Sequence, residues 1–292
     1  MNISVILPAA GLGRRFAVGD RNSASKIEFE LLHKPVFLRT IELFQNFRGD
    51  LGGTNFAGEV GQILLAVNPD KLDDFQFRWG DQLAFLGVTL IAGGAVERWE
   101  TVQIALDQVS EGATHVAVHD AARPCASVEM IERVFVAAEK YGAAVPGVAM
   151  GDTVKRVQRE SGEGENKRVA EVDPLDALFG DSSDATIALK KITETIPRHD
   201  LYRVQTPQVF EKGLLVAAYA ALDEVTAQGI TDDASVVELA GKDVYIVEGD
   251  AMNLKLTTPG DVELMEAVLK MRAEKDAKDA AVKQLFRDDD DD

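Results

Sequence analysis

The sequence predicts an α/β protein, a three-layer arrangement with a mostly parallel sheet between helices. Three observations predict it. Short β-branched or apolar runs alternate with longer segments of helical period, the pattern of strands joined by crossover helices. A loop of small residues directly follows the first strand, as in nucleotide-binding sheets. The region from Asp152 to Pro207 loses the alternation and is rich in polar turn residues such as ESGEGEN and GDSSD, so it reads as an excursion from the main sheet.

The first strand is expected at Ile3–Leu7, followed by the loop PAAGLGRRF at 8–16. A helix opens at Pro35, since proline suits a first helical turn, and carries Val36, Phe37, Thr40, Ile41 and Phe44 on or near one face. Strands follow at Gln62–Val67 and Val88–Ile91. Val102, Ala105, Leu106 and Val109 recur at spacings of three and four and define a helix over Trp99–Val109. His115–Val118 reads as a short buried strand that ends at Asp120, then come a helix over Ser127–Lys140 and a strand over Ala143–Val148. After the excursion, helices are expected at Lys212–Ala227 and Ala234–Leu239, with a strand at Val244–Val247. The last helix has Thr258 as N-cap, Pro259 at the first helical position and Asp261 three residues after the cap. Residues 1–270 therefore form a single domain with an arm at about 152–207, and 271–292 form a charged helical extension ending in the aspartate tail Asp288–Asp292.

The chain has 292 residues, 46% hydrophobic and 27% charged, which is ample for a core and argues against disorder. Lys and Arg number 31 against 49 Asp and Glu, a net charge of −18 that repels phosphate backbones and anionic membranes. No nucleic-acid or membrane partner is expected. The one cysteine, Cys125, suits a reducing compartment, and the N-terminus lacks the pattern of a targeting segment, so the expected location is the cytoplasm. His115 and His119 lie four apart on a strand without the adjacent Glu of a zinc-protease helix, and read as structural.

Three loops could carry chemistry. Ala9, Ala10, Gly11 and Gly13 allow backbone N–H groups to approach a ligand, while Arg14 and Arg15 add positive charge and Lys26 can return to the same mouth of the sheet. Phe16 stands where a dinucleotide fingerprint has its third glycine, and no Gly-Lys-Ser/Thr follows, so the loop alone fits a phosphate site or a plain tight turn. HDAARP at 119–124 lies at the carboxyl end of a strand, where Asp120 can meet a divalent cation and Arg123 a phosphate, or Asp120 can cap a helix and Arg123 lie on the surface. The bare backbone of Gly93, Gly94 and Ala95, with the Thr101 hydroxyl, can hydrogen-bond the edge of a base.

PAAGLGRR with Lys26, GGA…R…T at 93–101, HDAARP, DTVKR, IPR, QTPQ, TDDAS and NLK before Thr-Thr-Pro-Gly-Asp occur in one order. Together they resemble the 2-C-methyl-D-erythritol 4-phosphate cytidylyltransferase family over residues 3 to about 270. The resemblance implies a Rossmann-like nucleotidyltransferase fold, a homodimer joined through projecting arms, Mg²⁺ dependence, and transfer of CMP from CTP to methylerythritol phosphate. By the same resemblance Arg15 and Lys26 stabilise the α-phosphate, and Lys255 orients the acceptor phosphate. Arg198 and Thr153 reach that phosphate in the partner subunit. Asp120 lies near metal and sugar phosphate, Arg123 and Thr231 line the same pocket, and Gly93–Ala95 with Thr101 recognise cytosine and ribose. Five departures stand out: Ser25-Lys26-Ile27 where the family usually has Pro-Lys-Gln, Thr101 for a serine, one extra residue between the glycine pair and Arg98, a longer stretch between Arg156 and Arg198, and a C-terminal extension without a counterpart.

The implied reaction is in-line attack of an acceptor phosphate oxygen on the α-phosphorus of CTP, which requires alignment and charge stabilisation but no protein nucleophile. The cations Arg14, Arg15, Lys26, Arg123, Lys155, Arg198 and Lys255 are expected to converge on one cleft, with the acidic excess outside it. A cytidylyltransferase for ribitol 5-phosphate or another alditol phosphate shares most of these motifs. A Rossmann oxidoreductase would bind NAD instead, and a non-catalytic nucleotide-binding protein would bind CTP without releasing pyrophosphate.

Overall fold

The computed structural model describes residues 1–11, 25–45, 47, 57–159, 190–223, 225–227 and 229–288. In chain order the described elements are β1 (Asn2–Ala9), a 3₁₀ turn (Lys26–Glu28), the short strands β2 (Glu30–Leu31) and β3 (Lys34–Pro35), α1 (Val36–Gln45), β4 (Glu59–Val67), α2 (Leu72–Phe85), β5 (Val88–Ala92), α3 (Arg98–Leu106), β6 (His115–Val118), α4 (Val128–Tyr141) and β7 (Ala143–Ala149). There follow β8 (Val154–Arg159), β9 (Lys190–Ile196), β10 (Tyr202–Val204), β11 (Gln208–Glu211), α5 (Lys212–Ala220), α6 (Asp233–Leu239), β12 (Tyr245–Glu248) and α7 (Asp261–Asp288). They fall into two compact units, one of Met1–Val148 with Val204–Asp292 and one of Ala149–Arg203.

The larger unit is built on β1, which pairs in parallel with β4 on one side and β6 on the other. The strand order runs β7–β11–β6–β1–β4–β5, with β12 parallel to β7. Only β11 runs antiparallel to both its neighbours in that order. Alternation along the strands feeds two cores. Ile3, Val5 and Leu7 of β1 and Ile63 and Leu65 of β4 join Phe37, Phe44, Phe75, Met130 and Phe135 of α1, α2 and α4 on one face. Ile6, Leu64, Val116 and Val118 join Val102, Leu106, Leu215 and Val237 of α3, α5 and α6 on the other. Each fully buried side chain of this size stabilises the fold by roughly 1.5–3 kcal/mol, and the two-sided burial explains the short, wholly apolar strand segments.

Most expected elements stand within two residues of their anticipated bounds, and two differences have physical causes. Helix α2 escapes the periodicity because Phe77 and Phe85 on it are 90% and 89% exposed and so blur its apolar stripe. Helix α5 ends at Ala220 rather than Ala227 because the Asp223 carboxylate accepts from the N–H groups of Val225 and Thr226, at 3.0 and 2.7 Å, and makes a competing turn. At the start of α7, the Asp261 carboxylate accepts from the N–H groups of Thr257 and Thr258, both at 2.7 Å, the reach-back half of the expected cap. In the smaller unit β8 and β9 form an antiparallel pair from Val154↔Ile196 to Arg159↔Lys190. Among the described residues no helix is long and apolar enough to cross a membrane.

Candidate active site

The carboxyl ends of β1, β5 and β6 open onto a cavity of about 250 Å³ lined by Ala9, Ala10, Gly11, Lys26, Gly94, Arg98, Thr101, Asp120 and Lys255, with Pro8, Ile27, Val96, Glu97, Ala121 and Ala122 completing the wall. This is the crevice that an open α/β sheet leaves where the strand order reverses about its first strand. The glycine pair at its rim is dictated by close approach to α3. A Cβ on Gly93 would stand 2.7 Å from Thr101 Cγ2, and one on Gly94 only 2.5 Å from Glu100 Cβ. In their absence Gly94 N–H donates to Thr101 Oγ1 at 3.0 Å, which fixes the hydroxyl beside bare backbone.

Asp120 is the electrostatic centre. Its Oδ2 lies 2.7 Å from Lys255 Nζ and 3.3 Å from Arg123 Nε, and its Oδ1 lies 3.5 Å from Arg98 Nε. Burial alone would raise this carboxyl, but Lys255, Arg98 and Arg123 together hold it well below the usual carboxylate range. Arg98 also reaches the fully buried Asp233, Nη2 to Oδ2 at 2.7 Å, and Tyr219 Oη donates to the other Asp233 oxygen at 2.7 Å. The guanidinium therefore links two carboxylates, one in the cavity and one in the core.

The QTPQ segment braces three loops at once. Gln208 Oε1 accepts from the N–H groups of Asp233 and Ala234, both at 2.9 Å, and its amide donates to Asp232 Oδ2 at 2.8 Å. Gln205 donates to Asp250 O at 2.8 Å and accepts from Asp250 N–H at 3.1 Å, which anchors the turn before Asn253-Leu254-Lys255. Thr206 Oγ1 accepts from Asp120 N–H at 3.1 Å, and the Thr206–Pro207 bond is cis. Asn253 Nδ2 donates to Thr206 O at 2.9 Å, Arg123 Nη1 donates to Asn253 O at 2.8 Å, and Leu256 N–H donates to Ala122 O at 2.8 Å. The lysine loop is thus stitched to the aspartate loop along both edges. His119 beneath them is buried, 5.1 Å edge-on to Phe44, with Nε2 3.0 Å from Arg123 O, and burial pushes its imidazole down to about 4.

The cavity therefore gathers Ala9, Ala10, Gly11, Lys26, Gly94, Thr101, Asp120 and Lys255 from the expected site. Gly93 is buried behind its rim, while Ala95 and Thr231 are exposed and do not line it. Arg123 meets Asp120 from the side rather than lining the cavity. Thr153 and Arg198 lie in the smaller unit, where both are exposed and Arg198 donates to Gly151 O. Lys155 of the same unit donates to Thr195 Oγ1 at 2.6 Å. Gly13, Arg14 and Arg15 lie outside the described residues. Arg98 and Asp233 stand in the motifs GGA…R…T and TDDAS, but sequence reasoning assigns them no role. Arg98 meets its two partners across 22 and 135 residues, a separation that only folding closes.

Among the described residues no three His, Cys, Asp or Glu side chains are grouped to hold a metal ion. Asp120 and Glu97 are the carboxylate residues on the cavity wall. That donor set fits Mg²⁺ arriving with a triphosphate, because this ion keeps much of its water and commonly takes one or two carboxylates with substrate phosphates.

A family model described as IspD, 2-C-methyl-D-erythritol 4-phosphate cytidylyltransferase, matches residues 3–168 and 180–271. The match leaves out residues 169–179, within the longer stretch before Arg198, and the chain beyond 271. A relative of that name from Acidobacterium capsulatum is 35% identical over 94% of this chain and 99% of its own length. Another from Geobacillus thermodenitrificans is 33% identical over 93% of this chain and 99% of its own. A solved structure described as 4-diphosphocytidyl-2C-methyl-D-erythritol synthase is 28% identical with a TM-score of 0.63, covering 92% of this chain and 98% of that one. The 2-C-methyl-D-erythritol 4-phosphate cytidylyltransferase of Thermus thermophilus is 27% identical with a TM-score of 0.62, covering 92% and 100%.

Proposed function

The chain belongs to the 2-C-methyl-D-erythritol 4-phosphate cytidylyltransferase family, and from that premise we propose that it transfers CMP from CTP to 2-C-methyl-D-erythritol 4-phosphate, giving 4-diphosphocytidyl-2-C-methyl-D-erythritol and pyrophosphate. The observation that carries the assignment is the convergence of Lys26, Asp120, Lys255, Gly94 and Thr101 on one cavity at the carboxyl ends of the strands. The relatives' shared name favours methylerythritol phosphate over ribitol 5-phosphate as acceptor.

A phosphate oxygen of the acceptor forms the new bond to the α-phosphorus of CTP as the bond to the β-phosphate oxygen breaks, and pyrophosphate leaves with that electron pair. The acceptor phosphate is largely ionised near neutral pH, so no general base is required. Gly94 and Thr101 hold the base and ribose, and Lys26, with Arg15, offsets the charge that builds on the α-phosphate. Lys255 orients the acceptor phosphate, and Asp120 holds Lys255 in place from 2.7 Å. Arg123 supports the acceptor side through Asp120, 3.3 Å away, rather than from the cavity wall. Mg²⁺, bound through Asp120 and the triphosphate, would neutralise charge on the leaving pyrophosphate. Preorganised charges of this kind typically contribute about 10²–10³-fold each.

The unit Ala149–Arg203 serves in this proposal as the arm of a homodimer, offering Thr153 and Arg198 to the partner's acceptor phosphate. The enzyme works in the cytoplasm, the compartment that suits a chain with one cysteine. A pyrophosphate-release assay tests the assignment, with CTP, Mg²⁺ and methylerythritol 4-phosphate beside ribitol 5-phosphate and the other three nucleoside triphosphates. Release is expected with CTP and methylerythritol 4-phosphate alone; a preference for ribitol 5-phosphate, or CTP binding without turnover, would overturn it.

A further inference from the structure

Lys26 stands on a single 3₁₀ turn, Lys26–Glu28, and three residues with two backbone bonds, Glu28 N–H to Ser25 O at 2.8 Å and Phe29 N–H to Lys26 O at 3.3 Å, do not make a rigid platform by themselves. The turn is held from behind. Ile27 is buried in the core beside α1, and the Glu28 side chain is only 3% exposed although it carries a carboxylate. That carboxylate accepts from three donors. Ser25 N–H reaches Oε2 at 3.1 Å, Trp79 Nε1 reaches Oε1 at 3.0 Å, and Arg78 Nη1 meets the same oxygen. Trp79 is itself fixed edge-on to Phe37 with centroids 5.2 Å apart, and Phe37 packs on Phe75 at 5.2 Å. Arg78 is also tied to Asp74, Nη2 to Oδ2 at 2.6 Å. A buried charge is costly unless fully paired, and here every donor comes either from the lysine's own turn or from α2.

We propose that Glu28 is a positioning residue for Lys26: its buried carboxylate, gripped by Arg78 and Trp79 of α2, fixes the turn that presents the lysine to the cavity. The inference rests on the role given to Lys26 above. In the setting Ser25-Lys26-Ile27, Glu28 and α2 add to the anchoring that buried Ile27 and the Ser25 N–H already supply. A reacting charge displaced by about 1 Å loses on the order of 10²-fold in rate. The effect therefore belongs in kcat rather than in substrate affinity.

A double-mutant cycle reads this directly. Pyrophosphate release is measured for wild type, Glu28→Ala, Glu28→Gln, Lys26→Ala and the Glu28→Ala/Lys26→Ala double variant, with Trp79→Phe as a milder probe that removes one donor and keeps the ring against Phe37. Expected are a kcat lowered by about 10–10²-fold in Glu28→Ala with KM for CTP within about threefold, and partial recovery in Glu28→Gln. The double variant should be no slower than Lys26→Ala alone, and Trp79→Phe should slow turnover a few-fold only when Lys26 is present. A Glu28→Ala enzyme with wild-type kcat, or losses that multiply in the double variant, would show that Glu28 stabilises the fold without acting through the lysine. If Glu28→Ala does not fold, Trp79→Phe in the two Lys26 backgrounds decides the question by the same comparison. Wild-type turnover in Lys26→Ala would instead remove the role of Lys26 itself, and this proposal with it.

Discussion

Lys255 Nζ and Asp120 Oδ2 meet at 2.7 Å, which joins a loop near the end of the chain to the end of a central strand. Each charge limits the freedom of the other. Lys255 is 37% exposed along its side chain and Asp120 11%, so the lysine can turn toward a bound phosphate while the carboxylate stays fixed. Lys255→Ala should therefore lower pyrophosphate release by about 10²–10³-fold. The fold should survive, because Arg123 and Arg98 still face Asp120. Turnover within about threefold of wild type at saturating substrates would refute the assignment of Lys255.

Arg98 is predicted to matter to stability more than a surface arginine would. It is the cation facing Asp233, which is wholly buried, and it spans to Asp120 as well. Removing one partner of a buried pair leaves an uncompensated charge and costs about 3–5 kcal/mol. Arg98→Met should show that loss in urea denaturation, and adding Asp233→Asn should restore a large part of it. An Arg98→Met protein within about 1 kcal/mol of wild type would mean that Tyr219 alone satisfies Asp233.

The contrast between Lys255 and Arg98 also shows what is legible in the sequence. Strands such as His115–Val118 are legible because two-sided burial makes their inner residues, here Val116, Ala117 and Val118, apolar; Asp120 is legible because it follows that strand, and Thr101 and Lys255 because they stand in the ordered motifs GGA…R…T and NLK. Arg98, Asp233 and Glu28 are not, since their meaning lies in partners far along the chain. Helix α2, which supplies Arg78 and Trp79, escapes notice for the related reason that its exposed Phe77 and Phe85 hide its period. The two glutamines of QTPQ are visible as a motif, but their bracing of the Asp233 and Asp250 segments emerges only once folding brings those segments alongside.

Cys125 is expected to be inert. It is fully buried, and burial pushes its thiol up to about 11, with Asp250 adding to the rise against Arg272 and Arg39. Thiolate is the reactive form, so little is present at mildly alkaline pH. Iodoacetamide should leave the folded enzyme unlabelled over hours and modify it once urea unfolds it. Stoichiometric labelling of the folded protein within minutes would contradict the burial.

His119 predicts a specific loss of stability in mild acid. Its imidazole titrates at about 4 in the folded protein, chiefly through burial, against the ordinary value of 6.5. The unfolded chain therefore binds this proton at a pH where the folded chain does not, and stability must rise with pH across that interval. The neutral ring imposes no penalty above about 6.5; the penalty grows as pH falls toward 4 and levels off below it. At about 1.4 kcal/mol per pH unit, wild type should lose roughly 2 kcal/mol between about pH 6.5 and 5. Asp120 contributes in a separate window, because its folded value is depressed and its stabilisation is lost only as pH falls below about 3.8. His115 is also lowered by burial and adds a slope of the same sign, so the isolating variant is His119→Gln, whose amide can still meet Arg123 O, 3.0 Å from the ring nitrogen. Urea midpoints at about pH 6.5 and 5 should lie closer together in His119→Gln than in wild type, the remaining gap being that of His115; equal separation in both would assign the acid sensitivity to other groups.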